Sequence, residues 1–282
     1  MNGIDISRWN PIDLSRVACD FVIVKATQGT GYISPTFYEQ IQQADKLGKL
    51  LGVYHYASSG GAIAEAKHFL DTVKDYIGRA ILCFDWEGDQ NVNFKNPEYA
   101  LSWLRYVKQE TGITPFIYMS KSVCRQYAAQ WDNSFPLWCA QYKNQQPSSY
   151  QDNPWTDSKG FGAWASPLIF QYSSKGQLDG YSGNLDLDIA YMTPEIWKAY
   201  ANGGKEVVKD EDVDDILTPT LKFGDKNKYV ESWQRYLKAH SFYTGKVDGI
   251  FGEKTEKAVV KYQQANQIES GYIGPLTWAT LP

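Results

Sequence analysis

Two kinds of hydrophobic pattern alternate along the first 200 residues of the chain. Short apolar runs rich in β-branched and aromatic residues, which are typical of strands, occupy residues 3–7, 21–27, 51–56, 80–87, 115–120, 136–142, 168–173 and 185–191. Apolar positions spaced three or four apart predict amphipathic helices over residues 35–47, 62–73, 97–110 and 121–130, with a further short helix after Pro11. Strand and helix alternate five times, and three strands then follow with little helix between them.

This order of elements predicts an α/β fold. Alternating strands and helices form a parallel sheet joined by right-handed crossovers. Eight strands can close into a TIM-like barrel whose last helices are missing, and a doubly wound open sheet is the alternative. In a barrel of this kind, the functional side chains lie at the C-terminal ends of the strands.

A change of composition divides the chain into two domains. The boundary is the stretch of residues 201–219. Within it, residues 205–216 contain two Lys and six Asp or Glu. A stretch so acidic and so poor in apolar residues is typical of a solvated linker. It joins an acidic domain, residues 1–200, with 17 basic and 20 acidic residues, to a module, residues 220–282, with nine basic and six acidic residues.

The composition narrows the classes of ligand that we expect the protein to bind. Aromatic residues make up 15% of the chain, with 20 Tyr and 10 Trp, which exceeds what a core needs and suits stacking against a sugar or base. A tyrosine-rich surface without a ligand is the alternative. The net charge of −4 argues against nucleic-acid binding, because a nucleic-acid binder needs a basic face.

Other features predict no membrane segment, exported leader or cofactor. No run approaches 18 apolar residues, and the chain starts without a basic segment leading into an apolar one. If Met1 is native, we expect synthesis in the cytoplasm without export by the ordinary secretory route. The four Cys and three His lack the short spacing of a zinc site, so free thiols are expected, with disulfides as the alternative, and no metal.

Acidic residues lie in the strands whose ends are expected to carry barrel chemistry. Asp5 lies in the first run, Asp85 and Glu87 end the fourth, and the eighth contains Asp186 and Asp188. The first and eighth strands are neighbours in a closed barrel and the fourth faces them across the mouth, so three distant segments bring carboxylates to one cleft. Capped or solvated loop acids, and a divalent-metal site, are the alternatives.

The spacing of Asp85 and Glu87 has a chemical meaning. Side chains alternate along a strand, so both acids project from one face with Cα atoms about 6.7 Å apart, and Trp86 points the other way, under the helices. Two crowded carboxyl groups cannot both ionise easily, so one pKa rises and a protonated acid lies beside a carboxylate. Glycosidic bond cleavage requires such a pair.

The segments GIDIS, FVIVKATQGTGY, GVYHY, FDWE, FIYMS, LWCAQY, FQYSS and LDLD, in this order, resemble glycoside hydrolase family 25, the Chalaropsis-type lysozymes. The resemblance covers the first 200 residues. It implies an incomplete (β/α)5β3 barrel that hydrolyses the β-1,4 bond between N-acetylmuramic acid and N-acetylglucosamine. It also implies that Glu87 is the proton donor and that Asp5, Asp85 and Asp186 are the other catalytic-site acids.

The resemblance further implies a mechanism. Glu87 protonates the leaving oxygen and then acts as base toward water, while Asp85 polarises the substrate's own acetamide as nucleophile. A direct Asp nucleophile is the alternative. Asp5 and Asp186 are expected to tune the pKa of the acid and to fix the geometry.

Candidate substrate-binding residues lie on or near the strand runs, where each is alternatively a core residue: Tyr54, Tyr56, Tyr118, Trp138, Tyr172 and Asp188. The chain departs from the family pattern at three positions. The family usually has Glu where this chain has Gln28, an acid or amide where it has Ser34, and often Asn where it has Asp188. We therefore expect substrate fit to differ.

The C-terminal module has helical periodicity over residues 229–238 and 255–264 and a glycine-led helix start at Gly274. Its pattern, from LKFGD through VDGIFGEKTEKAVVKYQ to GYIGPLTWATL, resembles the three-helix type 1 peptidoglycan-binding domain. The resemblance implies a cleft between the helices that binds the cell wall.

Together these features predict a monomeric two-domain muramidase that acts on the glycan strands of bacterial peptidoglycan. The expected source is a bacteriophage endolysin, held in the host cytoplasm until it is released to the wall. A secreted bacterial autolysin of the same chemistry is the alternative. A catalytically silent wall-binding protein and a chitinase-like hydrolase of another N-acetylated glycan are further alternatives.

Overall fold

The computed structural model describes residues 1–131, 133–204, 221–266, 273 and 277. The strands are β1 (Asn2–Ile6), β2 (Phe21–Gln28), β3 (Tyr32–Ile33), β4 (Leu50–Tyr56), β5 (Ala80–Asp85), β6 (Phe116–Ser120), β7 (Leu137–Ala140), β8 (Ile169–Gly176) and β9 (Leu185–Ala190). The helices of the same region are α1 (Phe37–Lys46), α2 (Ala62–Val73), α3 (Pro97–Thr111), α4 (Lys121–Gln126) and α5 (Pro194–Asn202), with short 3-10 turns at Leu14–Arg16 and Lys74–Tyr76.

Eight of these strands close into a barrel, in the order β1, β2, β4, β5, β6, β7, β8, β9 and back to β1. Strand β1 pairs with both β2 and β9, so the sheet has no open edge and the doubly wound alternative is wrong. Strand β3 lies outside the ring as a hairpin partner of β2. The predicted α/β barrel with few helices after its later strands is confirmed.

Strand β9 runs against the rest of the barrel. The pairings from β1 to β8 around the ring are parallel, but β9 is antiparallel to both β8 and β1. In this register Asp186 lies opposite Asp5, and Asp188 lies opposite Gly3. Asp186 therefore reaches the barrel mouth from the start of its strand, not from the C-terminal end on which the sequence argument relied.

Helix α5, which the hydrophobic pattern did not predict, closes the base of the barrel. Thr193 caps its first turn by accepting a hydrogen bond from the backbone N–H of Ile196, and Pro194 occupies the first helical position. The fully buried Trp197 packs against Phe21 with ring centroids 4.7 Å apart. Its Nε1 donates to the carbonyl oxygen of Leu51 at 3.0 Å, so the helix is fastened to the strands that it covers.

A second layer of core lies between the sheet and the outer helices. Trp86 is fully buried there, with its ring 5.9 Å from that of Phe84, and Phe84 in turn stacks on Trp103 of α3 at 4.5 Å. The predicted orientation of Trp86, away from Asp85 and Glu87, is confirmed.

The C-terminal region contains helices α6 (Lys228–Ala239) and α7 (Glu253–Ala265) around a core of its own. The predicted helix start at Gly274 and most of the predicted linker lie outside the described residues. The first residues assigned to that linker continue α5, where Ala201 is buried, so the barrel domain extends at least to Asn202. No helix in the described ranges combines the length and apolar character needed to span a bilayer.

The C-terminal region rests on the base of the barrel. The buried Ser166, which precedes β8, donates a hydrogen bond to the hydroxyl of Tyr236 on α6 at 2.7 Å. The His240 ring lies 6.4 Å from Phe161 and 6.3 Å from Tyr191. Ser166 precedes β8 and Tyr191 follows the antiparallel β9, so these two residues lie at the end of the barrel opposite the strand ends that carry Asp5 and Asp85.

Candidate active site

A cleft of ≈ 650 Å³ opens at the barrel mouth, where the parallel strands end. Four predicted acids and four predicted aromatic residues line it: Asp5, Asp85, Glu87, Asp186, Tyr54, Tyr56, Tyr118 and Trp138. Three distant segments of the sequence thus meet at one site, as predicted, although Asp186 arrives from the start of an antiparallel strand.

Strand β5 presents the central pair of acids. Its six residues are all buried, and Asp85 ends the strand beside Tyr56 of β4 and Tyr118 of β6. The backbone N–H of Trp86 donates to the carbonyl oxygen of Tyr118 at 2.9 Å, which continues the sheet pairing to the residue before Glu87. Asp85 is 6% exposed and its Oδ1 accepts no hydrogen bond from the described residues, whereas Glu87 is half-buried.

Burial and charge together perturb this pair. Burial raises the pKa of Asp85 well above its usual range, and the negative charge of Glu87 raises it further. Burial likewise raises the pKa of Glu87, while the positive charge of Lys25 opposes the rise at both acids. Because both pKa values are raised and the two negative charges repel, the pair favours one protonated carboxyl group beside one carboxylate, which is the arrangement that general acid catalysis needs.

Lys25 of β2 is a site residue that the sequence analysis missed. Its Nζ lies 4.4 Å from the ring centroid of Tyr56 and donates to Oε1 of Gln28 at 2.9 Å. Strand alternation puts Lys25 on the inward face with Phe21 and Ile23. A lysine at the third inward position of an otherwise apolar strand was the signal available in the sequence.

Asp5 is held by a glutamine that the sequence analysis also missed. The Nε2 of Gln171 on β8 donates to Oδ2 of Asp5 at 2.6 Å. The hydroxyl groups of Tyr118 and Tyr142 both donate to Oε1 of Gln171, at 2.9 and 2.5 Å, which orients the amide. Burial raises the pKa of Asp5 well above its usual range, and the negative charge of Asp188 adds to the rise, while the Gln171 bond opposes it.

The two acids of β9 have different environments. Asp186 lines the cleft, and burial together with the charges of Asp5 and Glu87 raises its pKa to about 8. Asp188 is fully buried beneath the cleft, where Trp138 Nε1 donates to its Oδ1 at 2.8 Å. Burial raises the pKa of Asp188 to about 7, although the hydrogen bonds from Trp138 and Asp5 oppose the rise.

Two predicted substrate-binding residues do not line the cleft. Tyr172 faces the outer layer, where its hydroxyl accepts a hydrogen bond from the backbone N–H of Gln151 at 3.2 Å. Strand alternation explains this position, because Gln171 occupies the inward face of β8. Asp188 lies behind Asp5 and Trp138 and acts on the cleft through them.

The acids are not grouped as metal ligands. Within the described ranges, no set of three or more His, Cys, Asp or Glu side chains is arranged to hold a metal ion. All four cysteines are free thiols, and the Sγ atoms of Cys124 and Cys139 lie 4.0 Å apart.

A closed α/β barrel with clustered carboxyl groups and aromatic rings at its mouth is an arrangement suited to glycoside hydrolysis. The chain belongs to glycosyl hydrolases family 25, whose pattern matches residues 4–181. The pattern of a peptidoglycan binding domain matches residues 226–281.

Individual relatives agree with this assignment. The uncharacterized protein YegX of Escherichia coli O157:H7 is 33% identical over 217 residues, which cover 73% of this chain and 75% of YegX. The autolytic lysozyme of Clostridium acetobutylicum is 25% identical over 267 residues, which cover 93% of this chain and 72% of that protein. The lysozyme of Streptomyces coelicolor shares the fold, with a TM-score of 0.59 and 22% identity over 72% of this chain and 97% of its own.

Proposed function

We propose that the protein is an endo-acting muramidase that hydrolyses the β-1,4 bond between N-acetylmuramic acid and N-acetylglucosamine in peptidoglycan. The observation that carries the proposal is the Asp85 and Glu87 pair, presented by one buried strand into an aromatic-lined cleft. Membership of glycosyl hydrolases family 25 and the peptidoglycan binding pattern in the same chain support the choice of substrate.

Glu87 is the general acid in this proposal. Its raised pKa keeps a proton available for the leaving glycosidic oxygen, and its partial exposure lets that oxygen approach. After the sugar leaves, the same carboxylate takes a proton from water, and the configuration at the anomeric carbon is retained.

Asp85 assists the nucleophile. In this proposal the acetamide of the substrate is that nucleophile, and the carboxylate of Asp85, which lines the cleft, accepts a hydrogen bond from the acetamide N–H. As the acetamide oxygen attacks the anomeric carbon, the developing positive charge on nitrogen is stabilised by the carboxylate. Lys25, Asp5 and Asp186 set the field around the pair.

The whole chain is proposed to act as a lytic enzyme on the cell wall. The autolytic lysozyme of Clostridium acetobutylicum aligns across most of the chain, including the C-terminal region, which supports an autolytic or endolytic role. Release from a host cytoplasm as a bacteriophage endolysin remains a prediction from the sequence.

Replacing Glu87 with Gln tests the proposal, because the amide keeps the size and polarity of the side chain but has no transferable proton. We expect a folded protein with about 100- to 10,000-fold slower release of soluble fragments from purified sacculi. Glu110→Gln, at an exposed position of α3 away from the cleft, is the matched control.

Mass spectrometry of the new reducing ends identifies the bond that is cut. Muramic acid at the reducing end supports a muramidase, whereas N-acetylglucosamine there contradicts it. Near-normal turnover by folded Glu87→Gln contradicts the assignment of the acid.

A further inference from the structure

A short loop after β1 places a cation and a large ring at the edge of the cleft. Arg8 and Trp9 both line the cleft, and Trp9 is 75% exposed. The guanidinium carbon of Arg8 lies 4.4 Å from the Trp9 ring centroid and 5.9 Å from that of Tyr32. Two rings thus hold the Arg8 guanidinium at the rim.

The loop is firmly anchored, although its tip is exposed. The buried Gln40 of α1 donates from Nε2 to the carbonyl oxygens of Ser7 and Asn10, at 2.9 and 3.0 Å. Asn10 accepts from the backbone N–H of Ser7 at 3.0 Å through its Oδ1. The backbone on either side of Arg8 and Trp9 is therefore fixed by the fold before any ligand arrives.

Arg8 has no carboxylate partner in the described parts of the chain, although five acids line the same cleft. The other cation, Lys25, lies close to Asp85 and Glu87, and the positive charge of Arg8 helps to lower the pKa of Lys25. The charge balance of the acids is thus served by Lys25, and the Arg8 guanidinium remains open to an external anion.

The ionised acids of the cleft repel anionic ligands, and a cation at the point of entry offsets that repulsion. The proposed substrate carries anions at a defined place, because the muramyl sugar bears a peptide stem with free carboxylates. A planar guanidinium is well suited to a carboxylate, which it can bind through two parallel hydrogen bonds.

We propose that Arg8, positioned by Trp9 and Tyr32, binds a carboxylate of the peptide stem on a muramyl residue next to the cleavage site. This inference rests on the proposed muramidase function and adds a preference for stem-bearing glycan. Arg8 is a binding residue and takes no part in the chemical step.

The test compares two soluble substrates with the full-length protein: uncrosslinked glycan chains carrying peptide stems, and the same chains after an amidase has removed the stems. Arg8→Ala is expected to raise KM for stem-bearing chains about three- to tenfold, the range between an exposed ion pair and a charge-assisted hydrogen bond. Turnover at saturation and KM for stem-free chains should stay within about twofold of wild type.

Two variants sharpen the comparison. Arg8→Lys keeps the charge but loses the planar fork, so its KM for stem-bearing chains should lie between those of wild type and Arg8→Ala. Arg125→Ala removes one positive charge from the exposed surface of α4, away from the cleft, and should leave KM unchanged for both substrates.

The outcomes separate this inference from the proposed function. If wild type cleaves neither substrate, the muramidase proposal fails as well. If wild type cleaves both and Arg8→Ala raises both KM values equally, or neither, only the role of Arg8 is wrong. If wild type cleaves stem-bearing chains alone, an unchanged KM in Arg8→Ala overturns the inference.

Wall phosphate polymers are a second source of anions. Intact sacculi are therefore digested before and after hydrofluoric acid has removed these polymers. An Arg8→Ala defect that disappears with the polymers assigns Arg8 to phosphate and contradicts the stem assignment, whereas a defect that persists supports it.

Discussion

Asp5 and Asp188 form a buried pair of carboxyl groups under the cleft. Each has a neutral donor of its own, Gln171 for Asp5 and Trp138 for Asp188, and each interacts with the other. Two carboxylates in such surroundings cannot both ionise near neutral pH without mutual repulsion, so the pair retains a proton. Its charge state affects Asp186, because the negative charge of Asp5 adds to burial in raising the pKa of that acid.

The pair makes stability depend on pH. Because burial raises the pKa of Asp188 to about 7, the folded chain keeps a proton that the unfolded chain loses above about pH 4, and stability falls as the pH rises between these values. Asp188→Asn removes this loss. The drop in the free energy of unfolding between pH 5 and pH 8 should therefore be about 3 kcal/mol smaller in Asp188→Asn than in wild type. Urea denaturation at the two pH values measures it.

Asp179→Asn, at an exposed position, is the control for that experiment. Parallel stability curves for wild type and Asp188→Asn would show that Asp188 is ionised in the folded protein at pH 5 as well as at pH 8.

Turnover measurements should distinguish the role of Asp85 from that of Asp188. Asp85→Asn removes the carboxylate that is proposed to face the developing positive charge and should lower turnover about 100-fold or more. Asp188→Asn keeps an oxygen that accepts from Trp138 and should lower turnover less than about threefold, in line with a position outside the cleft. Release of soluble fragments from sacculi is the measurement, and equal losses contradict the assignment.

Side-chain alternation predicted some site residues well and others badly. It placed Asp85 in the cleft and Trp86 behind it, because a charged residue next to a large apolar one shows which face of β5 is inward. In β8 the adjacent Ile169 and Phe170 are both apolar and both buried, so the pattern gives the alternation without saying which face is inward. The prediction chose Tyr172 for this reason, and Gln171 was missed.

At the level of elements, the sequence analysis missed the direction of β9 and the presence of α5. Only 11 residues, 174–184, separate the last two predicted strands, which is short for a parallel crossover and suits an antiparallel connection. Thr193, Pro194 and Gly203 mark the start and end of α5. The helix packs one face on the barrel base, and its short length gave too little periodicity to stand out.

One element junction behind the cleft depends on Glu65 of α2. Its carboxylate is buried, lies 3.0 Å from His55 Nε2, and accepts from the backbone N–H groups of Ser58 and Gly60 at 3.2 and 2.9 Å. Burial lowers the pKa of His55, so the ring is neutral and its Nε2 donates to Glu65 while Nδ1 accepts from Thr27. The loop from β4 to α2, with the cleft residue Ser58, is held in this way.

Glu65→Ala should therefore destabilise the fold by about 2–4 kcal/mol, because buried donors lose their acceptor. Glu39→Ala removes an exposed acid from the equivalent first turn of α1 and should cost less than about 0.5 kcal/mol. Urea denaturation compares the two. A small effect of Glu65→Ala would mean that the loop finds other partners.

At the level of the whole molecule, the two regions have separate cores but touch. Ile196 of α5 packs against both cores, and Ser166 is hydrogen-bonded to Tyr236 across the junction. The composition of the predicted linker showed that the chain divides, but it carries no information on where the second region docks. That position depends on surface shape at the barrel base, which no local pattern encodes.

A chain ending at residue 204 should still fold, because α5 and the barrel core remain complete. Its hydrolysis of short soluble glycan chains should stay within about threefold of wild type, and its lysis of intact cells should fall more than about tenfold, since tethering raises the local concentration of enzyme at the wall. Turbidity loss and fragment release measure the two activities.

Binding of residues 218–282 to purified sacculi is the companion measurement. Equal lysis by the shortened chain, together with no binding by this module, would contradict the tethering role of the C-terminal region.

The antiparallel direction of β9 has a consequence for how the enzyme would hydrolyse peptidoglycan. Because β9 is antiparallel to β1, the chain leaves the barrel at its base, and the C-terminal region docks there, at the end opposite the cleft. On the proposed function, the glycan strand bound by the C-terminal region is therefore a different strand from the one that the cleft hydrolyses. Such an enzyme hydrolyses bonds at separate sites in the peptidoglycan and is not processive along one glycan strand. Long fragments should therefore appear before short ones.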